Sequence, residues 1–165
     1  MDIAKSGEEL VHICEENSIS LSEYAIIREM EDKDISREEV FLKMKKTLDA
    51  MRNGATEARE KEVFSVSGLI GGDAYKMQQY LKKGNSLTGD TMVLAMAMAL
   101  SSSEVNASMG KIVACPTAGS CGILPAVILT AGEKLGKNDE ELMRALFASA
   151  AVGTVSYTHL RAHET

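Results

Sequence analysis

Apolar positions in the N-terminal third of the chain repeat with the period of an α helix. After Ser36 they recur every three or four residues, which places them on one helical face with lysine and arginine opposite. These positions are Val40, Met44, Leu48, Met51 and Ala55. Because a helix in water must bury one of its faces, core packing is the ordinary explanation of this stripe. The pattern therefore predicts an amphipathic helix that begins near Ser36.

Two short motifs predict where the N-terminal helices begin. Ser20–Glu23 and Ser36–Glu39 each have a serine followed three residues later by a glutamate. In this capping box the hydroxyl accepts an exposed backbone N–H, and the carboxylate accepts the N–H of the serine. We therefore expect one helix after Ser20 and another after Ser36. The charged run at 57–62 is expected to be the solvated end of the second helix.

Helices are also predicted in the second half of the chain. Residues 92–100 are apolar on every side, so their helix should start near Asp90 and be buried all round. Pro125 suits the first turn of a further helix that Gly136 would end, and Asn138–Glu141 begins another. β-Branched and aromatic residues are too few for a large sheet. The expected fold class is all-α, a compact bundle of amphipathic and buried helices joined by glycine-rich loops.

Composition and charge narrow the class of protein. The chain has 165 residues and a formal net charge of −6, so we expect one domain and no nucleic-acid partner, since phosphate contacts need clustered Lys and Arg. The three cysteines are odd in number and do not make a disulfide framework. No stretch has the length and apolarity of a signal peptide or a membrane span. We therefore expect a cytoplasmic protein that does not enter a membrane.

The most unusual stretch is the loop Ala114–Pro125, which holds two cysteines, two glycines and two prolines. It should deliver Thr117, Ser120 and Cys121 to the N-terminus of the following helix, where free N–H groups and the helix dipole favour an anion. A thiolate in that position has a lowered pKa and can bind a metal or attack a substrate. The alternative, of equal weight at this point, is a tight turn that carries a buried cysteine.

Two further polar stretches lie among the glycines of the sequence. Ser65–Asp73 is predicted to be a flexible turn with hydroxyl groups, and Ser101–Gly110 places Glu104, Asn106 and Ser108 directly before the cysteine loop. Polar groups among so many apolar neighbours need partners, and a ligand could supply them. Helix capping and turn formation would use the same residue types.

A closed zinc site is not expected from the cysteines. Cys115 and Cys121 lie six residues apart, outside the short spacings of structural zinc sites. Cys14 stands on an amphipathic helix, where it is expected to be a small core residue. His12 is too close to Cys14 in sequence to share a helical face with it.

The stretches Asn106–Ala114 and Pro116–Pro125 resemble the signature of the iron–sulfur-dependent bacterial L-serine dehydratases, and more closely the separate alpha subunit of their two-subunit form. Ser67–Lys76 also resembles that subunit. These lyases have an all-helical catalytic domain and convert L-serine to pyruvate and ammonia without pyridoxal phosphate. The resemblance therefore implies an L-serine ammonia-lyase of amino-acid degradation, with L-serine as substrate and a beta subunit as partner.

The resemblance also implies a cofactor and a set of site residues. The family uses a [4Fe–4S] cluster held by three cysteines, and its open iron would act as a Lewis acid on the serine hydroxyl. Only Cys121 matches a ligand position of the family, whereas Cys115 stands where the family usually has a small apolar residue. No residue is assigned as the general base. The implied substrate-binding residues are Ser67, Asn106, Thr117, Ala118, Gly119 and Ser120.

The C-terminal decapeptide departs from the family. The family would continue after Val155 in a glycine- and alanine-rich helix towards its remaining cysteines, whereas Ser156–Thr165 holds two of the three histidines. We therefore predict that residues 1–155 are part of the alpha-chain domain and that 156–165 are a non-native, vector-derived tail. With one of three ligands, the chain alone is not expected to hold a stable cluster. Its uncovered apolar helices favour a homo-oligomer.

Two other functions stay open on the sequence alone. A related iron–sulfur lyase that acts on another small amino acid, such as L-cysteine, would share the loop. A non-catalytic helical interaction module would use the loop only as a turn. Replacement of Cys121 separates the enzymes from the module, because only the enzymes need its sulfur.

Overall fold

The computed structural model of the chain is built from helices. It describes the backbone of residues 1–163 and the side chains of residues 1–156. The described residues form seven α helices and no β strand, so the predicted all-α fold class is confirmed. The helices are α1 (Gly7–Glu16), α2 (Leu21–Lys33), α3 (Arg37–Glu60), α4 (Asp73–Lys82), α5 (Asp90–Ala107), α6 (Ile123–Leu135) and α7 (Asp139–His163). None of the helices in this part of the chain combines the length and the apolarity that a bilayer crossing requires.

The contacts of the chain divide it into two compact units. The first unit comprises residues 1–45 and the described residues from 139 onward, and the second comprises residues 46–138. The boundaries therefore fall inside α3 and just before α7. The predicted non-native tail, 156–165, falls almost wholly on side chains that lie outside the described residues. Both the tail and the single domain stay predictions.

The first unit packs α2 against α7, with α1 beside them. Ile26, Val40 and Phe147 form one buried cluster, which joins α2, α3 and α7. Cys14 lies in a second cluster with Tyr24. The prediction that Cys14 is a core residue of an amphipathic helix is therefore confirmed.

The predicted helix starts are confirmed, but only one of them has the complete capping box. At α3, Glu39 N donates to Ser36 Oγ at 3.2 Å, and Ser36 N donates to a Glu39 carboxylate oxygen at 3.0 Å. At α2, Glu23 N donates to Ser20 Oγ at 3.2 Å, while the Glu23 carboxylate binds both terminal guanidinium nitrogens of Arg37. A bidentate pair with a guanidinium cation is stronger than one hydrogen bond from a neutral backbone N–H, so the Glu23 carboxylate turns away from Ser20.

The second unit is organised around α5, which packs against α4 and α6. The side chain of Ser101 also joins α5 to α3, because its Oγ accepts the Ala58 N–H at 3.0 Å and donates to Gly54 O at 2.7 Å. Ser101 thus binds an N–H and a C=O that lie four residues apart, the spacing of a backbone pair in a helix. The small residues Gly54 and Ala58 let the two helices come close enough for it.

The predicted environment of α5 is only partly right. The helix begins at Asp90 as expected, but it continues beyond Leu100 through Ala107. Its predicted burial on every side is wrong, since Met92 is 54% exposed and Met96 is 43% exposed. The apolar run covers the whole circumference of the helix, whereas α4 and α6 cover only parts of it. The predicted limits of α6 are confirmed, with Pro125 in its first turn and Gly136 in a left-handed cap.

Replacement of Leu48 tests the helical stripe of α3. Leu48 is fully buried, whereas Leu42 on the same helix is 58% exposed. Leu48→Ala is expected to lower the free energy of unfolding by about 2–5 kcal/mol, because it removes apolar contacts and leaves a cavity. Urea unfolding followed by circular dichroism measures this, with Leu42→Ala as the matched control. Equal effects of the two substitutions would contradict the assignment of the buried face.

Stability should depend on pH through Glu23. The Arg37 guanidinium holds the pKa of the Glu23 carboxyl below its ordinary value of 4.5, and Arg144 adds to the effect. The ion pair therefore stabilises the fold fully above that ordinary value, and the stabilisation is lost as the pH falls through the lowered folded-state pKa. Glu23→Gln is expected to be less stable than the native chain near about pH 7 and nearly equal to it near about pH 2.

Urea unfolding at the two pH values measures this difference. Glu8→Gln, at an exposed carboxylate in the first turn of α1, is the control and should give a smaller loss at neutral pH. A loss for Glu23→Gln that is the same at both pH values would show that the ion pair is not its cause.

Candidate functional site

The last turn of α5 meets both of the other glycine-rich stretches of the second unit. Val66 N donates to Ala107 O at 3.1 Å, which attaches the turn 65–72 to the end of α5. Asn106 Nδ2 donates to Ala118 O at 3.0 Å, which attaches the cysteine loop to the same helical turn. Because these stretches are distant in sequence, only the packing of α4, α5 and α6 brings them together.

The turn 65–72 depends on its glycines and its serines. Phe64 and Gly71 form an isolated antiparallel bridge, and a Cβ on Gly71 would lie 2.2 Å from Val63 O. Only glycine fits there, at a φ of +140°. Within the turn, the hydroxyl oxygens of Ser65 and Ser67 lie 3.1 Å apart. Ser67, a predicted site residue, is exposed and bonds inside its own turn.

The cysteine loop is held by the hydroxyl groups of Thr117 and Ser120. Ser120 Oγ donates to Cys115 O at 2.8 Å, accepts Thr117 N at 3.3 Å and lies 3.0 Å from Thr117 Oγ1. A single 3-10 turn, Ala118–Ser120, follows Thr117. Thr117, Ala118 and Gly119 are exposed, whereas Ser120 is half-buried and its hydroxyl is occupied inside the loop. The outer side of this loop is therefore the side that a ligand can reach.

Gly122 lets the start of α6 rest directly on α5. A Cβ at this position would lie 2.6 Å from Ala99 O and 3.0 Å from Ser103 Oγ. Any other residue would push the two helices apart or deform the backbone of α5. This close approach presses the preceding residue, Cys121, against α5.

Cys121 lies at the start of α6, as predicted, but its thiol is buried. The residue is 1% exposed, and Sγ donates to Ser102 O at 3.7 Å. Burial raises the pKa of the Cys121 thiol, although its own backbone N–H opposes that shift. The predicted lowering of this pKa is therefore wrong, since loss of hydration disfavours the thiolate more than the helix end favours it.

The second cysteine of the loop does not complete a metal site. Cys115 is partly buried and its thiol donates to Val113 O at 3.4 Å. Burial raises the pKa of Cys115, and the Coulombic interaction with Cys121 raises it further, because two neighbouring thiols resist ionising together. Among the side chains that the structure describes, no group of three or more His, Cys, Asp or Glu residues could hold a metal ion. The described residues therefore do not fit a cluster that this chain would hold with three thiolates of its own.

Glu104 precedes the cysteine loop in sequence, but its carboxylate lies at the start of α4. Its Oε1 accepts the backbone N–H groups of Asp73 and Ala74 at 2.7 and 3.1 Å, at the start of α4. Because α5 continues through this stretch, Glu104 and Asn106 are two helical residues apart and lie on nearly opposite sides. The sequence signal for a helix that continues beyond Leu100 is that Ala97, Ser101 and Glu104 keep helical spacing.

A cavity of about 180 Å³ lies elsewhere in the second unit, between α4, α5 and α6. It is lined by Leu81, Asp90, Thr91, Leu94, Thr130, Glu133 and Lys134. None of these is a predicted site residue, so the cavity and the cysteine loop are separate features.

Comparison with known proteins agrees with the motifs of this region. The family model described as serine dehydratase alpha chain matches residues 16–162. The chain is 39% identical over 151 residues to the probable L-serine dehydratase alpha chain of Bacillus subtilis, covering 92% of this chain and 50% of that protein. It is 35% identical over 150 residues to the L-serine dehydratase alpha chain of Peptoniphilus asaccharolyticus, covering 91% and 51%.

A more distant relative is the L-serine dehydratase 2 of Escherichia coli, at 28% identity over 91% of this chain and 34% of that protein. The chain thus spans about half the length of the alpha chains it matches, or less in the longer relative. No solved structure matches it. Since the family model covers most of the chain, the chain belongs to the serine dehydratase alpha chain family.

Proposed function

We propose that the chain belongs to the alpha subunit of an iron–sulfur-dependent L-serine dehydratase. The enzyme would remove water from L-serine, and hydrolysis of the resulting aminoacrylate would give pyruvate and ammonia. The observation that carries this proposal is the meeting of the three family motifs, including Ser67, Asn106 and Cys121, around the last two turns of α5. The relatives from Bacillus and Peptoniphilus, which are named as alpha chains, support a beta subunit as partner.

The outer side of the cysteine loop is proposed to bind the carboxylate of L-serine. Thr117, Ala118 and Gly119 are exposed there, with a hydroxyl and backbone N–H groups that can donate to an anion. From Gly84 to Gly132 the chain has three charged residues only, none of them in the loop 114–125, so the donors that the loop itself offers are neutral. Ser67 and Asn106 complete the proposed substrate-binding set, and Ser120 holds the loop in shape from inside.

Cys121 is proposed to supply one ligand to a [4Fe–4S] cluster of the enzyme. It is the cysteine of this chain that matches a ligand position of the family. Two further thiolates would have to come from outside the described residues. The thiol would also have to turn from Ser102 O, its present hydrogen-bond acceptor, to reach a metal.

The cytoplasm is the proposed location of the enzyme. The three cysteines are free thiols in the structure, and a reducing compartment keeps both thiols and iron–sulfur clusters intact. Large apolar side chains such as Leu69 and Leu87 are exposed, which supports association with the beta subunit or with a second copy.

Replacement of Cys121 by serine tests the ligand role in the complete alpha–beta enzyme. Cys121→Ser is expected to remove most of the cluster's visible absorption and to lower kcat by about a hundredfold or more, because metal binding needs the whole ligand set. Cys14→Ser, at another buried cysteine, is the matched control and should keep both. If Cys121→Ser keeps the absorption and the activity, the loop is only a turn and the interaction module becomes the better interpretation.

The choice of substrate is tested by steady-state kinetics of the same enzyme. We expect kcat/KM for L-serine to exceed that for L-threonine and L-cysteine by about tenfold or more, since a site shaped for one small side chain discriminates by about that factor. A preference for L-cysteine would replace the proposed reaction with that of a related lyase.

A further inference from the structure

The carboxylate of Glu104 is buried and only half satisfied. The residue is 5% exposed. Its Oε1 accepts two backbone N–H groups, those of Asp73 and Ala74, whereas Oε2 is buried with no hydrogen-bond partner in the described part of the chain. An unpartnered buried oxygen costs free energy, so a core that needed only packing would not retain it.

Glu104 performs the task of a helix cap from a different helix. The residue before α4 is Gly72, which has no side chain and makes no side-chain cap bond. Glu104 reaches across from α5 and accepts the first two amides of α4, where a negative charge also suits the helix dipole. The carboxylate therefore fixes the start of α4, and with it the end of the turn 65–72, to α5.

A second bond attaches the other side of the same turn to the same part of α5. Val66 N donates to Ala107 O, and Ala107 lies three residues after Glu104, which is nearly one helical turn. Ser67 stands between these two points of attachment. Asn106, in the same turn of α5, holds the cysteine loop through Ala118 O.

We propose that Glu104 is a positioning residue for substrate binding, which sets the place of the Ser67 turn relative to the cysteine loop. It touches no substrate and acts through the first amides of α4. This inference rests on the proposed function, because it assigns Ser67 and the loop to the binding of L-serine.

The test uses the alpha–beta enzyme with Glu104→Ala and Glu104→Gln. Glu104→Ala is expected to raise KM for L-serine about tenfold, to change kcat by less than about threefold and to leave the cluster's visible absorption unchanged. Glu104→Gln should restore part of the affinity, because its amide oxygen can still accept both N–H groups. Glu133→Ala, at an exposed carboxylate of α6 in the same unit, is the control and should match the native enzyme.

Hydrogen exchange supplies a measurement that does not depend on activity. In the present chain, Glu104→Ala should speed exchange at the amides of Asp73 and Ala74 while the amides in the middle of α5 stay protected. An unchanged KM in an active Glu104→Ala enzyme would overturn the inference, and so would equal losses in kcat and in cluster content. If Glu104→Ala does not fold, Glu104→Met decides, because methionine keeps most of the volume but has no oxygen to accept the two N–H groups. A raised KM with normal kcat in Glu104→Met supports positioning, and a native KM overturns it.

Failure of the proposed function would give a different result in the same assays. In that case the native enzyme itself would not convert L-serine, and both proposals would be overturned together. An active native enzyme with a native KM in both Glu104 variants overturns only the role of Glu104.

Discussion

The second unit depends on how closely other segments approach α5. Gly122 allows the start of α6 to lie against Ala99 O, where a single added Cβ would be 2.6 Å away. On another side, the hydroxyl of Ser101 enters the backbone hydrogen bonding of α3 between Gly54 and Ala58. Both contacts need small residues at the point where the helices meet. Together they fix where the C-terminal end of α5 lies relative to α3 and α6. The turn with Ser67 and the cysteine loop take their positions from that end.

The same close packing separates two sides of the cysteine loop. Its inner side carries the buried thiol of Cys121, whose pKa is raised by loss of hydration. Its outer side presents Thr117 and Gly119 to solvent. Hydrogen bonds on the inner side hold the outer side of the loop in a fixed shape. A fixed shape suits the proposed binding of substrate by neutral groups. The inner thiol, in contrast, is shielded from solvent, and the proposed metal site would have to form beside it from residues outside the described part of the chain.

Local patterns predicted the helices well because their causes are local. The cap of α3 at Ser36 needs only Glu39, three residues away, and the end of α6 needs only the freedom of Gly136. The prediction failed where a distant group competes. Arg37 binds the carboxylate of Glu23 in place of Ser20, and Met92 lies on a side of α5 that the described helices leave exposed. The spacing of residues along the chain predicts neither the partner of Glu23 nor the exposure of Met92.

The amino-acid sequence by itself determined the helical class, the starts of α2, α3, α5, α6 and α7, and the motif that contains Cys121, because periodicity, caps and motifs depend on residues that are close together in sequence. Only the tertiary structure decided what those residues face. It turned Glu104 towards α4 rather than towards the loop, and it buried the Cys121 thiol against Ser102 O. The reason is that hydration and hydrogen-bond partners depend on segments that are distant in sequence, and these set both the pKa of a thiol and the role of a carboxylate.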